Sequence, residues 1–82
     1  MQEIQLLRLD NVIGDFAQVF MTRNSNSKFM QLLEKHNFKL ADEIDWNEAI
    51  KVDFYYNREL NIGINSLFRN GIIVAFSIIH FW

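Results

Sequence analysis

The amino-acid sequence predicts an α+β fold in which two N-terminal helices and a short helical turn pack on one face of a three-stranded antiparallel β-meander. Three observations support this fold class. Apolar residues recur with the period of an α-helix early in the chain, the period changes to two after Ile50, and the pair Asn70-Gly71 marks a hairpin turn between apolar segments. The 82 residues are enough for one domain, which is expected to span residues 1–82.

The first helix is expected over residues 11–22. The apolar face of the first segment, with spacings of three, four, three and four residues, consists of Leu6, Leu9, Ile13, Phe16 and Phe20, widened by Val12 and Val19. Residues 3–9 are open to two interpretations, because Asp10-Asn11 and Gly14 interrupt the pattern. They either extend this helix or form a strand that adds a fourth member to the sheet.

A second helix is expected after the polar break at residues 23–27. Asn26 or Ser27 can cap it by accepting a hydrogen bond from a backbone N–H of its first turn. Its apolar face consists of Phe29, Leu32, Leu33 and His36. Asn37 is expected to end the helix, because asparagine tolerates the left-handed conformation that commonly follows a last turn.

A short helical turn is predicted from Trp46 to Ile50. Asp45 is followed three residues later by Glu48, and both carboxylates can accept hydrogen bonds from unpaired backbone N–H groups at a helix start. This spacing is the capping-box pattern, and it indicates one or two turns of helix.

The strands follow from a period of two. In the first strand the apolar set is Ile50, Val52, Phe54 and Tyr56, alternating with Lys51, Asp53 and Tyr55. A turn at Asn57-Arg58-Glu59 leads into a second strand that begins at Leu60. The last strand, residues 72–82, is apolar on both sides, with Ile72, Val74, Phe76 and Ile78 on one and Ile73, Ala75, Ile79 and Phe81 on the other.

The two-sided last strand has a consequence for the surface. Helices in so short a chain can cover only one face of the sheet, so Ile73, Ile79 and Phe81, or the residues opposite them, are left with too little cover. A second copy of the chain, a partner protein, or a fourth strand from the N-terminal residues would resolve this.

Composition and motifs argue against catalysis and cofactors. The chain has no cysteine, and its two histidines, His36 and His80, lie on separate predicted elements without metal-binding spacing. There is no P-loop, dinucleotide-binding glycine pattern or nucleophile elbow. The sequence therefore predicts a protein with no enzymatic activity, no metal and no cofactor.

Net charge and hydropathy indicate the compartment in which the protein is expected. The net charge of −2 gives no general attraction to nucleic acid or to an anionic membrane. The first residues lack the features of a signal peptide, and the most apolar stretch, residues 71–82, is too short to span a bilayer. A cytoplasmic protein is expected.

The charges are unevenly distributed along the chain. Residues 23–41 carry a local charge of +3, whereas residues 42–59 carry −4. The acidic segment surrounds Trp46, and such an edge steers a basic partner toward an aromatic anchor. The candidate partner-binding residues are Asp42, Glu43, Asp45, Trp46, Glu48, Asp53, Phe81 and Trp82.

These observations predict a non-enzymatic protein-binding module whose partner, basic or a second copy of the chain, meets an acidic edge and an aromatic sheet surface. Short, acidic, cysteine-free chains rich in Asn and Ile resemble small inhibitors such as toxin-immunity proteins in composition, although no motif identifies a family. The alternative is a structural subunit or homodimerisation domain. Nucleic-acid binding through residues 23–41 has less support, since they lack a recognition-helix pattern.

Overall fold

The N-terminal part of the chain is helical. The computed structural model describes residues 3–81, with side chains from residue 7 onward. Helix α1 spans Glu3–Phe16, a 3₁₀ turn spans Val19–Met21, and helix α2 spans Ser25–Lys35. Residues 3–9 therefore extend the first helix, and the interpretation of this segment as a fourth strand is wrong. The helical hydrogen bonds continue past Gly14, where a side chain would meet open space, so this glycine costs only about 1 kcal/mol.

The asparagine that caps α2 is not the predicted one. The cap is Asn24, whose side chain accepts a hydrogen bond from the backbone N–H of Ser27 at 3.0 Å, so neither Asn26 nor Ser27 caps the helix. Asn26 instead accepts a hydrogen bond from the backbone N–H of Ile73 at 3.1 Å, which ties the helix to the sheet. Asn37 ends the helix with φ of 58°, as predicted.

The sheet has four antiparallel strands in the order in which they occur along the chain. They are β1 (Lys39–Asp45), β2 (Ile50–Asn57), β3 (Ile62–Arg69) and β4 (Ile72–His80). The fourth member is thus β1, which pairs with β2 at one edge. Both helices pack on one face of this sheet, which confirms the predicted arrangement.

The predicted helical turn from Trp46 to Ile50 is wrong. Residues 46–49 form the turn between β1 and β2, and the side chain of Asn47 closes it by accepting hydrogen bonds from the backbone N–H groups of Ala49 and Ile50 at 2.7 and 2.8 Å. An asparagine that bonds its own backbone in this way competes with a helix start, and pairing of β1 with β2 settles the competition.

The faces of two strands also differ from the expectation. On β2, the side turned toward the helices holds Asp53, Tyr55 and Asn57, not the apolar set that begins at Ile50. On β4, the register shifts by one residue at Val74, so Ile73 faces the helices together with Phe76. A β-bulge of this kind transfers the following residues to the opposite side of a strand.

The core lies between the helices and the sheet. Phe16 and Phe29 are fully buried at its centre and meet edge to face at 5.8 Å. The other buried apolar residues are Val12, Val19, Leu32, Leu33, Phe38, Tyr55, Leu60, Ile62, Ile64, Phe68 and Ile73. Phe20 is exposed, because the chain leaves the α-helical path after Phe16; Ile13 lies within α1 and is exposed as well.

The turn between β3 and β4 confirms the hairpin prediction. Asn70 and Gly71 have φ of 53° and 80°, the positive values that a type I′ turn requires at both positions. The sequence signal was strong here because the constraint is local to two residues.

Replacing Gly71 with valine is expected to lower the free energy of unfolding by about 1–3 kcal/mol, because a β-branched residue is strained at positive φ. Urea denaturation followed by circular dichroism measures the loss. Gly14→Val is not a suitable control because valine also disfavours helix, so Gly71→Asn, which tolerates positive φ, serves as the matched variant and is expected to lose much less. Equal stability of Gly71→Val and wild type would contradict the turn assignment.

Candidate interaction surface

The face of the sheet opposite the helices is the main candidate. Residues paired across antiparallel strands point to the same side, and the row Val52, Leu67 and Ala75 therefore lies on this opposite side, which we call the open face. Its apolar and aromatic side chains are Ile44, Ile50, Val52, Phe54, Tyr56, Leu67, Ile72, Ala75, Ile79 and Phe81. They come from all four strands, and several remain partly or largely exposed.

An aromatic group occupies one end of the open face. The ring of Phe54 lies over Gly63, where a methyl group would collide with it. The ring of Phe81 meets the rings of Phe54 and Tyr56 at centroid distances of 6.3 and 6.1 Å. Gly63 thus provides the space in which the three rings assemble, and the group is held in edge-to-face contacts.

Asn61 positions this aromatic group, a role that sequence analysis missed. Its backbone carbonyl accepts a hydrogen bond from the backbone N–H of Phe81 at 2.9 Å, and its side-chain amide donates to the carbonyl of Phe81 at 2.8 Å. The hydroxyl of Tyr56 donates to its side-chain oxygen. Asn61 has φ of 54°, a left-handed conformation that asparagine tolerates better than most residues. The only sign of this role in the sequence is therefore an asparagine directly before an apolar strand.

The acidic residues gather along one edge of the sheet. Asp42, Glu43 and Asp45 lie on β1, whose residues are all exposed, and Glu48 lies in the turn that follows. Asp42 is paired with Phe54 and therefore borders the open face. Trp46, in the same turn, is 74% exposed. The structure thus brings five of the predicted partner-binding residues to one edge.

The other predicted partner-binding residues are placed differently. Asp53 is only 5% exposed and faces the helices, so it does not join the acidic edge; the alternation of β2 places it on the same side as buried Tyr55. Phe81 belongs to the open face and is 39% exposed. Trp82 lies outside the described residues.

His36 lies at the contact between the two helices. His36 Nε2 lies 2.8 Å from Asp15 Oδ2, and Lys35 Nζ lies 2.9 Å from the same oxygen. These hydrogen bonds lower the pKa of the Asp15 carboxyl group, and the hydrogen bond from Lys35 has the largest effect. The contacts join α1 to the end of α2, which is a structural role. Within residues 3–81, no group of three His, Cys, Asp or Glu side chains is placed to hold a metal ion.

Two further findings concern membrane-spanning helices and similarity to known proteins. Among the helices in the described part of the chain, none has the length and apolar character needed to cross a membrane. No family model, curated protein or solved structure matches this chain.

Proposed function

We propose that this protein is a non-enzymatic binding module that docks a partner protein on the open face of its sheet, with the acidic edge at the rim of the contact. The observation that carries the proposal is the side on which the helices lie. Both pack on one face, which leaves apolar side chains of all four strands on the other. Contiguous exposed apolar surface of this kind is typical of interaction sites.

The centre of the open face supplies the apolar contact. Leu67 lies between Val52 and Ala75 in the middle of the sheet, and a shallow depression of about 270 Å³ surrounds these residues. Asn65 and Ser77 line the depression beside these apolar side chains, so it can accept a protruding apolar group of a partner and also offers hydrogen-bonding groups. Burial of such a group in a central pocket contributes most of the affinity of many protein interfaces.

The rim selects the charge of the partner. Residues 39–49 carry four carboxylates and one lysine, and Lys51 pairs with one of these carboxylates, so the edge retains a net negative charge. Charges at an interface rim mainly accelerate encounter and suppress partners of like charge. We therefore propose a partner with basic residues around an apolar protrusion. The exposed Trp46 is the candidate anchor at this edge.

Leu67→Arg is expected to abolish partner binding, because it places a charge in the centre of the open face. Leu7→Arg is the matched control, since Leu7 is 60% exposed on α1, on the other side of the sheet. Tagged wild type and both variants are used to capture partners from the native host, and bound proteins are identified by mass spectrometry. The expected result is a stoichiometric partner retained by wild type and Leu7→Arg and lost by Leu67→Arg, with all three chains folded by circular dichroism.

Sedimentation at several concentrations separates this proposal from homodimerisation. A heterologous partner requires a wild type that stays monomeric when it is alone. A wild-type dimer that Leu67→Arg dissociates, with no captured partner, would contradict the proposal and establish the homodimer instead. Retention of the partner by Leu67→Arg would show that the open face is not the docking surface.

A further inference from the structure

A second candidate site lies on the helix side of the sheet, away from the open face. A cavity of about 390 Å³ opens between α2 and the turn that joins β1 to β2. Its walls include Met30 of α2 and Phe68 of β3, and Asp45 and Glu48 stand at the turn side. A volume in this range suits a small ligand or a single long side chain.

A buried carboxylate, one oxygen of which lacks a hydrogen-bond donor, lines this cavity. Asp53 is 5% exposed, and its Oδ2 accepts a hydrogen bond from the Tyr55 hydroxyl at 3.1 Å. Its Oδ1 is buried and has no hydrogen-bond donor among the described residues. Lys51 Nζ lies 3.8 Å from Oδ1, beyond hydrogen-bond distance, and bonds Glu43 Oε1 at 3.0 Å. A buried, unsatisfied carboxylate oxygen is costly, and its retention calls for an explanation.

The surroundings keep this oxygen available for a donor. Burial, reinforced by the negative charge of Asp53, raises the pKa of the Tyr55 hydroxyl well above its ordinary value, so the tyrosine stays a neutral donor to Oδ2. Lys51 Nζ donates a hydrogen bond to Glu43 and lies 3.8 Å from Oδ1, so its ammonium group pairs with the Asp53 charge without donating a hydrogen bond to this oxygen.

The chemistry of the walls selects the kind of cation. Met30 and Phe68 provide apolar surface for a hydrocarbon stem, while Asp53 and Tyr55 line the same cavity. A guanidinium group fits this combination better than an ammonium group, because it is more weakly hydrated and offers several N–H donors in one plane.

We propose that this cavity is a receptor site for a guanidinium group, which donates a hydrogen bond to Oδ1 of Asp53 while its stem lies against Met30 and Phe68. Two sources share this chemistry, an arginine side chain of a protein and a free guanidinium compound. The site lies on the other side of the sheet from the open face, and it shares Asp45 and Glu48 with the acidic edge.

The test is a titration of the full chain with N-acetyl-arginine amide, followed by amide shifts in ¹H–¹⁵N NMR spectra. N-acetyl-citrulline amide, which has nearly the same shape but no charge, is the matched control ligand. The expected result is saturable shifts at Ala49, Lys51 and Gly71 with the arginine compound and at least about tenfold weaker binding of the citrulline compound. Absence of saturable shifts at these amides, or equal binding of both compounds, would overturn the proposal.

Two variants locate the binding determinant. Asp53→Asn keeps the shape and the acceptor for Tyr55, and it should weaken binding about tenfold or more, whereas Glu34→Gln, which removes an exposed charge on α2, should not change it. If Asp53→Asn fails to fold, Lys51→Met tests the site instead. It removes the positive charge next to Oδ1, which repels a bound guanidinium group, so binding should become several-fold tighter. Unchanged binding in the folded Asp53→Asn variant, or unchanged or weaker binding in Lys51→Met, contradicts the site.

A last comparison distinguishes the two sources. An arginine-containing peptide that binds at least about tenfold more tightly than free arginine indicates a protein side chain, and the reverse order indicates a free compound. The Leu67→Arg variant should bind the arginine compound like wild type, so failure of the open-face proposal leaves this result unaffected.

Discussion

Phe29→Ala is expected to lower the free energy of unfolding by about 3–5 kcal/mol, the range typical of truncating a fully buried phenylalanine. Phe29 is fully buried, and its ring contacts Phe16, Tyr55, Phe68 and Phe76 at centroid distances of 5.4–6.0 Å. It therefore joins α2 to α1 and to three strands at once. The free energy of unfolding of a domain of this length is only about 4–12 kcal/mol in total, so the variant retains little stability.

Urea denaturation followed by circular dichroism measures the effect of Phe29→Ala. Met30→Ala is the matched control, because Met30 is the next residue of the same helix and is 47% exposed. Its expected loss is below about 1 kcal/mol. If the two variants lost the same amount, the ring of Phe29 would not be the centre of the core.

Asn57→Ala is expected to lower the free energy of unfolding by about 2–4 kcal/mol, because it removes the hydrogen bonds of one buried and one partly buried backbone group. Asn57 is almost fully buried at the end of β2. Its side-chain amide donates a hydrogen bond to the carbonyl of His36 at the end of α2, and its side-chain oxygen accepts one from the backbone N–H of Leu60 at 2.8 Å. One side chain thus joins the helix end to the turn between β2 and β3.

Thermal unfolding measures the loss at Asn57, with a decrease in Tm of roughly 10–25 °C expected for a domain of this size. Asn65→Ala is the control, since Asn65 is an exposed asparagine on the neighbouring strand and should change stability by less than about 0.5 kcal/mol. Asn57→Asp keeps the acceptor for Leu60 and loses the donor to His36, so its stability should lie between those of wild type and Asn57→Ala. An alanine variant as stable as wild type would show that these hydrogen bonds contribute nothing.

The two proposed sites use opposite sides of one sheet. The apolar open face is exposed because neither helix covers it. The cavity beside Asp53 lies on the helix side, between α2 and the turn that joins β1 to β2. Both border the β1 edge, where the carboxylates lie. The charged residues and the irregularity near Ala41 also discourage pairing of this edge with another strand.

Local signals in the sequence determined several elements. The turn at Asn70-Gly71 depends on the backbone preferences of two residues, and the buried face of α2 depends on the spacing of Phe29, Leu32 and Leu33. The change of period after Ile50 correctly marked the start of β2. In each case the information lies within a few consecutive residues, so it can be read without knowledge of the rest of the fold.

Tertiary structure alone decided the rest. Strand β1 contains three acidic residues and is exposed throughout, so it lacks any strand signal of its own and forms because β2 offers it a backbone partner. Alternation shows which residues of β2 share a side but not which side meets the helices. The side that meets the helices is the polar row of Asp53, Tyr55 and Asn57, and the aromatic row faces outward. This is possible because Asn57 donates a hydrogen bond to the carbonyl of His36, far away in sequence, and the Tyr55 hydroxyl donates one to Asp53. The candidate sites follow from that choice of side, because it leaves Phe54 on the open face and buries Asp53 beside the cavity.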